Sequence, residues 1–247
     1  MKSSGIVWQG RAHIDRGWAA FIGTTGDNRP HAHHALQVVV ALTGPITLLT
    51  PTGQLQVDTA AVVPSDVVHA LAPSVAPVGL LYVDADSVYA RAFDRVDSSI
   101  QTPQKADMAR LRHALMQAAQ GHRSGFDAAM AELTTAHTPR MEDHRVHEVL
   151  DRLIARADLN ISVHDIAPWA HLSPSRFAHR FRAHTGMPVR PFLRWLRLQR
   201  AATAITAGQS VTDAAHVAGF ADTAHLTRTF QRHFGINPRV LGALARR

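Results

Sequence analysis

The 247-residue chain contains no cysteine. Disulfides and thiolate metal ligands are thereby excluded, so stability must come from an apolar core and any metal site from nitrogen and oxygen donors. No uninterrupted apolar run of about 18 or more residues occurs, and the N-terminal stretch lacks the continuous apolar segment that marks a secretion signal. No membrane span is therefore expected, and the expected location is soluble and cytoplasmic. The first half also lacks an excess of either charge: residues 1–142 hold 11 basic and 12 acidic side chains, whereas residues 143–247 hold 15 arginines and 7 acidic residues. The formal net charge of +7 therefore resides in the second half. That segregation is expected of a nucleic-acid-binding domain beside a neutral partner, with a merely solvated basic surface as the plain alternative. At 46% hydrophobic residues, the chain can bury a sizeable core and form two domains.

The second half writes one helix-turn-helix pattern twice. In the first copy Ser162 can cap a helix carrying Val163, Ile166 and Ala167, and after His171-Leu172 a second helix opens at Ser173-Pro174. Phe177 and Phe181 share one face of that helix, so Ser175, His179 and Arg182 face outward. The second copy places Val211, Ala214, Ala215 and Val217 before Gly219-Phe220, then opens a helix at Asp222 with Leu226, Phe230 and Phe234 on its buried side. Phe177, Phe181 and Gly186 align with Leu226, Phe230 and Gly235, with one residue of adjustment near the second turn. Between the copies, Pro191 to about Thr206 reads as a helix without an internal glycine. Such a helix, roughly 20–25 Å long, can set the two outward helices into successive major-groove segments about 34 Å apart.

The run Leu172-Ser173-Pro174-Ser175-Arg176-Phe177, the Thr185-Gly186-Met187-Pro188 turn, the Leu196-Arg197-Leu198-Gln199-Arg200-Ala201 helix, and Gly219-Phe220 followed by Phe230, Phe234-Gly235 and Asn237-Pro238 resemble the DNA-binding domain of AraC/XylS-type transcription regulators. The resemblance covers about 100 residues. It implies double-stranded DNA as a partner, with Ser175, His179 and Arg182 on the first recognition helix and Thr223, Ala224, Thr227 and Arg228 on the second facing the groove. Arg228 is the leading candidate for reading a base, since guanidinium can bond guanine in bidentate fashion; a phosphate clamp or surface ion pair is its alternative. Arg176 and Arg232 lie nearer the edge and are expected on the DNA backbone, where arginines supply most of the affinity and its salt dependence. Two departures stand out in the first module. Pro168 falls inside its first helix, and His171 occupies a turn position where the family usually has glycine, so a left-handed backbone there is disfavoured.

The first half reads as short strands between turn signals: Trp18 to Ile22, Val38 to Leu42, Ile46 to Thr50, Leu55 to Val57, Ala61 to Val63, Val67 to Leu71 and Val78 to Val83, with Ile6 to Trp8 as a further short apolar run and 23–30 as a loop. That spacing predicts a small antiparallel barrel or sandwich. His31, His33, Gln37 and Gly44 resemble the first cupin motif, with Gln37 where the family usually has Glu; Pro64 to His69 resembles the second, with Asp66 replacing its glycine. A cupin-like sensor barrel often precedes the AraC-type domain, which implies a small-molecule effector. On a strand, His31, His33 and Gln37 would point the same way and meet His69, with Val39 as apolar wall. Three readings stand at this point: a polar effector pocket without metal; a divalent metal held by His31, His33, Gln37 and His69; or histidines that only bond within the barrel. His34 is expected on the opposite side, outside the ligand set.

From Gln104 to Gln120 the apolar residues Met108, Leu111, Leu115 and Ala118 form one helical seam, and Phe126 to Leu133 a second short helix capped by Ser124. The seam packs on its own barrel or forms a homodimer contact. The predicted organisation is α+β: a cupin-like antiparallel β-barrel over 1–98, connecting helices over 99–138, a linker around 134–143, and an all-α domain with two helix-turn-helix motifs over 143–247. The predicted function is a sequence-specific transcription regulator, an activator by the family's habit, that senses a small effector and engages RNA polymerase. No enzymatic activity and no cofactor are assigned, with a metal-dependent cupin enzyme or a metal- or pH-sensing regulator as alternatives.

Overall fold

A computed structural model describes residues 7–15, 17–85, 87–93, 99–103, 105–134 and 143–245. The predicted boundary at 98 and most of the predicted linker lie outside the described residues.

Eight strands form the N-terminal layers: β1 (Gln9–Asp15), β2 (Trp18–Thr25), β3 (Leu36–Ala41), β4 (Ile46–Thr50), β5 (Gly53–Val57), β6 (Ala60–Val63), β7 (Ala70–Leu71) and β8 (Ser74–Val83). They make two antiparallel sheets, one in the order β1-β2-β8-β3-β6 and one in the order β5-β4-β7. The alternation of β3 shows how the layers form. Val38 and Val40 face outward onto helices, while Gln37 and Val39 face the space between the sheets, where Val39 packs with Leu48, Val63 and Leu80. The predicted barrel thus takes the form of two facing sheets. β1 went unread in the sequence because its strand QGRAHID carries only Ala12 and Ile14 as apolar alternation, and these pack against the C-terminal domain.

Two helices, α1 (Lys105–Ala119) and α2 (Arg123–Thr134), cover the outer face of the larger sheet. The apolar seam of α1 packs on its own sheet: Leu111, Leu115 and Ala118 are buried beside Val38, Leu81 and Phe126. Gly79 of β8 makes this approach feasible, since a Cβ there would sit 2.1 Å from a Leu115 methyl. The second helix begins at Arg123, which puts Ser124 inside its first turn rather than at the predicted cap.

The C-terminal domain opens with α3 (His144–Ala155), capped by Asp143 and buried through Val146, Val149, Leu150 and Leu153. The first module is α4 (Val163–Ile166), a 3-10 turn (Ala167–Ala170) and α5 (Pro174–Thr185). A long helix α6 (Val189–Thr206) follows, about 27 Å by its residue count, then the second module α7 (Val211–Val217) and α8 (Thr223–Phe234), and α9 (Pro238–Ala245). Serine and aspartate side chains cap these helices: Ser162 in a reciprocal box with Asp165, Ser173 before Pro174, Ser210 and Asp222. Phe177, Phe181, Phe192, Leu226 and Phe230 join one core with α3 and α6. None of the described helices is long and apolar enough to cross a membrane.

The two departures in the first module are absorbed locally. α4 stops at Ile166, and Pro168 sits in the first turn of the 3-10 segment, where no helical N–H bond is lost. His171 adopts φ +53, the left-handed conformation that its counterpart Gly219 adopts at φ +77. Asp66 likewise takes φ +63 where the second cupin motif usually has glycine.

Candidate nucleic-acid interface and effector site

On α5, Ser175, Arg176, His179 and Arg182 are exposed, and on α8, Ala224, His225, Arg228 and Arg232 are exposed, with Thr223 and Thr227 half-buried. Packing of Phe177 and Phe181 on one module, and of Leu226 and Phe230 on the other, points these faces away from the core. Thr223 Oγ1 bonds Thr212 Oγ1 at 3.2 Å, tying the start of α8 to α7.

Other arginines are engaged within the fold. Arg197 donates to Leu159 O at 2.9 Å, and Arg200 donates to Ala157 O at 2.9 Å and to Ile154 O at 3.1 Å, clamping the C-terminal end of α3 where carbonyls lack helical partners. Arg180 pairs with Asp143 at 2.6 Å, and Arg152 stacks on Trp169 at 4.1 Å. Arg180, Arg197 and Arg200 are thus engaged within the fold, while Arg176 and Arg182 on α5 and Arg228 and Arg232 on α8 are exposed, as are Arg145, Arg190, Arg194 and Arg239 on other helices.

In the N-terminal domain, the structure brings His31, His33, Gln37 and His69 together, though not along one strand. His31 forms an isolated bridge with His69, through His31 N→His69 O at 3.0 Å and His69 N→His31 O at 2.9 Å, and β3 starts only at Leu36. All four side chains are buried. One ring nitrogen from each histidine lies within 4.8 Å of the others. Val39 belongs to the core between the sheets and is not among the residues that line the adjoining cavity.

Hydrogen bonding sets the tautomers. His31 Nδ1 faces Arg29 O at 2.8 Å, His33 Nδ1 faces Ala35 O at 2.7 Å, and His69 Nδ1 faces Val67 O at 2.9 Å. A carbonyl only accepts, so each Nδ1 carries the proton and donates it. Burial, with mutual repulsion among the rings, lowers His31 to about 3 and His33 to about 4; burial also lowers His69. The rings are therefore neutral at pH 7, and each Nε2 is a lone pair. His33 Nε2 and His69 Nε2 lie 3.0 and 2.8 Å from the oxygen end of the Gln37 amide, whose nitrogen end has no partner. Two lone pairs do not bond an acceptor. Partner chemistry instead orients the amide with its NH2 between the two imidazoles, donating once to each, and leaves its oxygen without a protein donor. Tyr82 packs against His33, and burial raises its hydroxyl above its usual range.

His31, Gln37 and His69 line part of a cavity of about 1060 Å³ that lies between the two domains. Phe21 and Leu80 of the sheets, together with Phe192, Trp195 and Phe230 of the helices, give it apolar walls. Trp195 Nε1, buried on this wall, has no partner. Gln199 of α6 bonds Asp84 across the domain boundary.

Several contacts in this region were not visible as motifs. His34, expected on the far side, is buried and donates from Nε2 to Thr185 O at 2.9 Å, with its Nδ1 3.6 Å from Asp66. Contact with His34 lowers Asp66 below the usual carboxylate range. Arg29 N donates to Gly235 O at 3.0 Å, and burial lowers nearby His233. Only the repeat of Gly186 and Gly235 hinted at equivalence between these ends; the shared N-terminal contact has no sequence signal.

A helix-turn-helix domain family matches residues 166–243. The whole chain is similar in fold to ToxT of Vibrio cholerae: to an apo point variant from strain SCE256 with a TM-score of 0.62 at 10% identity, covering 94% of this chain and 99% of that one. ToxT of strain O395 bound to (E)-4-(8-methylnaphthalen-1-yl)but-3-enoic acid gives 0.61 at 9% identity, with 93% and 100% covered. Unsaturated fatty acid-bound ToxT from strain SCE256 gives 0.57 at 10% identity, with 92% and 95% covered. At such identities the likeness is one of fold. The chain carries an AraC-type helix-turn-helix domain at its C-terminal end, on a two-domain fold shared with ToxT.

Proposed function

We propose that the chain is a sequence-specific DNA-binding transcription regulator whose N-terminal domain senses a small effector. One observation carries the reading: two recognition helices, separated by α6, both leave a polar, arginine-bearing face exposed. Arg228 reads a base, Ser175, His179 and Arg182 face the groove on the first module, and Arg176 and Arg232 clamp phosphates. The family resemblance adds RNA polymerase and a homodimer as partners, activation as the mode, and the cytoplasm as the compartment. No enzymatic step is assigned.

The effector is proposed to occupy the cavity between the domains. ToxT structures hold an unsaturated fatty acid or a naphthalenyl-butenoic acid, each an apolar body with a carboxylate end. Apolar walls and two unpaired polar groups, the Gln37 amide oxygen and the Trp195 indole N–H, support a ligand here that is mostly apolar with a polar end.

A second reading, a divalent metal at the histidines, is favoured by the tautomers. Each Nδ1–H donates to a backbone carbonyl, the outer-shell arrangement that orients imidazole ligands, and three neutral imidazoles are a known zinc-binding set. His31, His33 and His69 would hold the ion, with Gln37 turning its oxygen toward it. The ion would supply a fixed positive charge at the polar end of the cavity.

Genome-wide binding of the purified chain to fragmented DNA of its source, at two salt concentrations, tests the main reading. Recovery of a shared motif with two segments about one helical turn apart is expected. Steep salt dependence without a shared motif would overturn it.

A further inference from the structure

We propose that the segment Arg29–His34 transmits occupancy of the histidine site to both recognition helices, so that a bound ion changes how the two helix-turn-helix modules are held. The proposal rests on the histidine end of the cavity being the sensing site, and it names the element that reports it.

Six consecutive residues grip the C-terminal ends of both helices. Arg29 N donates to Gly235 O at the end of α8, and His34 Nε2 donates to Thr185 O at the end of α5. Those ends are equivalent in the duplicated pattern, each followed by a left-handed glycine, Gly186 at φ +80 and Gly235 at φ +69. The same six residues supply His31 and His33, two of the three imidazoles, and His31 is paired through its backbone to the third, His69.

The grip has no slack at α8. A Cβ on Gly235 would lie 2.5 Å from Arg29 O and 2.6 Å from His31 Nδ1. Packed contacts of this kind pass a displacement on rather than absorb it. The ring nitrogens lie within 4.8 Å of one another, and a tetrahedral ion with bonds of about 2.0–2.1 Å would fix them about 3.4 Å apart. Binding would set this separation, draw in any nitrogen that lies farther out, and replace the Gln37 amide bonds to His33 and His69. Arg29 lies before His31 and His34 after His33. Contraction between the two histidines alters the separation of the two grips, and with it the relative placement of α5 and α8, on which two-segment DNA recognition depends.

The test uses the full chain stripped of metal by chelation, with Co2+ as probe. Its visible spectrum reports imidazole ligation, and hydrogen–deuterium exchange reports the helix ends; neither needs DNA. Expected are one Co2+ per chain and a change of roughly threefold or more in exchange at both the Gly186 and Gly235 segments. His34→Ala should keep Co2+ binding and the Gly235 response while losing that at Gly186. Affinity for DNA recovered in the genome-wide experiment should shift by roughly tenfold. Absence of Co2+ binding to the unmutated chain overturns the proposal, as does binding with unchanged exchange at either end. If both ends respond but no shared DNA motif exists, transmission stands and the regulator reading falls.

Discussion

The two helix-turn-helix modules share a pattern but not a construction. In the second, α7 runs unbroken into a turn with Gly219, which takes its left-handed conformation without a Cβ penalty. In the first, Pro168 divides the leading helix into α4 and a 3-10 turn, and His171 is held at φ +53. Despite this, Phe177 and Phe181 are as fully buried as Leu226 and Phe230. Module geometry therefore follows from the shared core with α3 and α6, and local propensity only tunes it.

Core truncation should give the largest effect and probe whether the modules are one unit. Phe181→Ala and Phe230→Ala should each cost about 3–5 kcal/mol. Urea melts should show a single shared transition for both variants; loss of one module with the other intact would break the comparison. Next comes readout. Arg228→Ala should weaken specific binding by about 1–3 kcal/mol and relax one base position. Arg176→Ala should instead weaken all sequences alike and lower the salt slope by about 1. Anisotropy titrations at two salt concentrations separate these outcomes, and an equal, sequence-independent loss for both would make Arg228 a phosphate clamp.

The helix ends rank third. Alanine at Gly186 or Gly235 meets a left-handed backbone worth about 1–2 kcal/mol. At Gly235 the new Cβ also collides with Arg29 O, whereas at Gly186 the nearest atom is a His34 ring carbon at 3.4 Å. Gly235→Ala should therefore lower Tm more than Gly186→Ala, and the reverse order would deny the tight seat of α8. The smallest effect belongs to the departures. His171→Gly should stabilise by about 1 kcal/mol or less, since relief of the left-handed strain is offset by glycine's greater chain entropy. Pro168→Ala should stay within about 0.5 kcal/mol, because the residue is exposed and displaces no helical bond. A large loss of stability in either would mean that the irregular turn is itself required.

Much of the helical half was legible because its signals are local. Hydroxyl caps, Pro174, the left-handed glycines and apolar residues at helical spacing act within a few positions of one another, and α3, α5, α6 and α8 begin and end close to where these place them. β1 and the start of the histidine segment were not legible in this way. Ala12 and Ile14 find their packing partners in the other domain, and His31 is positioned by a bridge to His69 rather than by a strand of its own. The resemblance to the two cupin motifs named His31, His33, Gln37 and His69, and the fold places these four side chains together. The resemblance missed His34, whose partner Thr185 is 151 residues away.

Residue order was thus enough to specify that there are two modules, which faces of their second helices are polar, and which four side chains could form the histidine cluster. The first two properties follow from periodicity and from residue chemistry over short distances, and the third from the resemblance to the cupin motifs. Packing was needed to settle which arginines remain exposed, that Val39 belongs to the core, that a cavity opens between the domains, and that one loop holds the ends of both recognition helices. Each of these depends on which surfaces meet when the domains pack, and no short-range pattern records that.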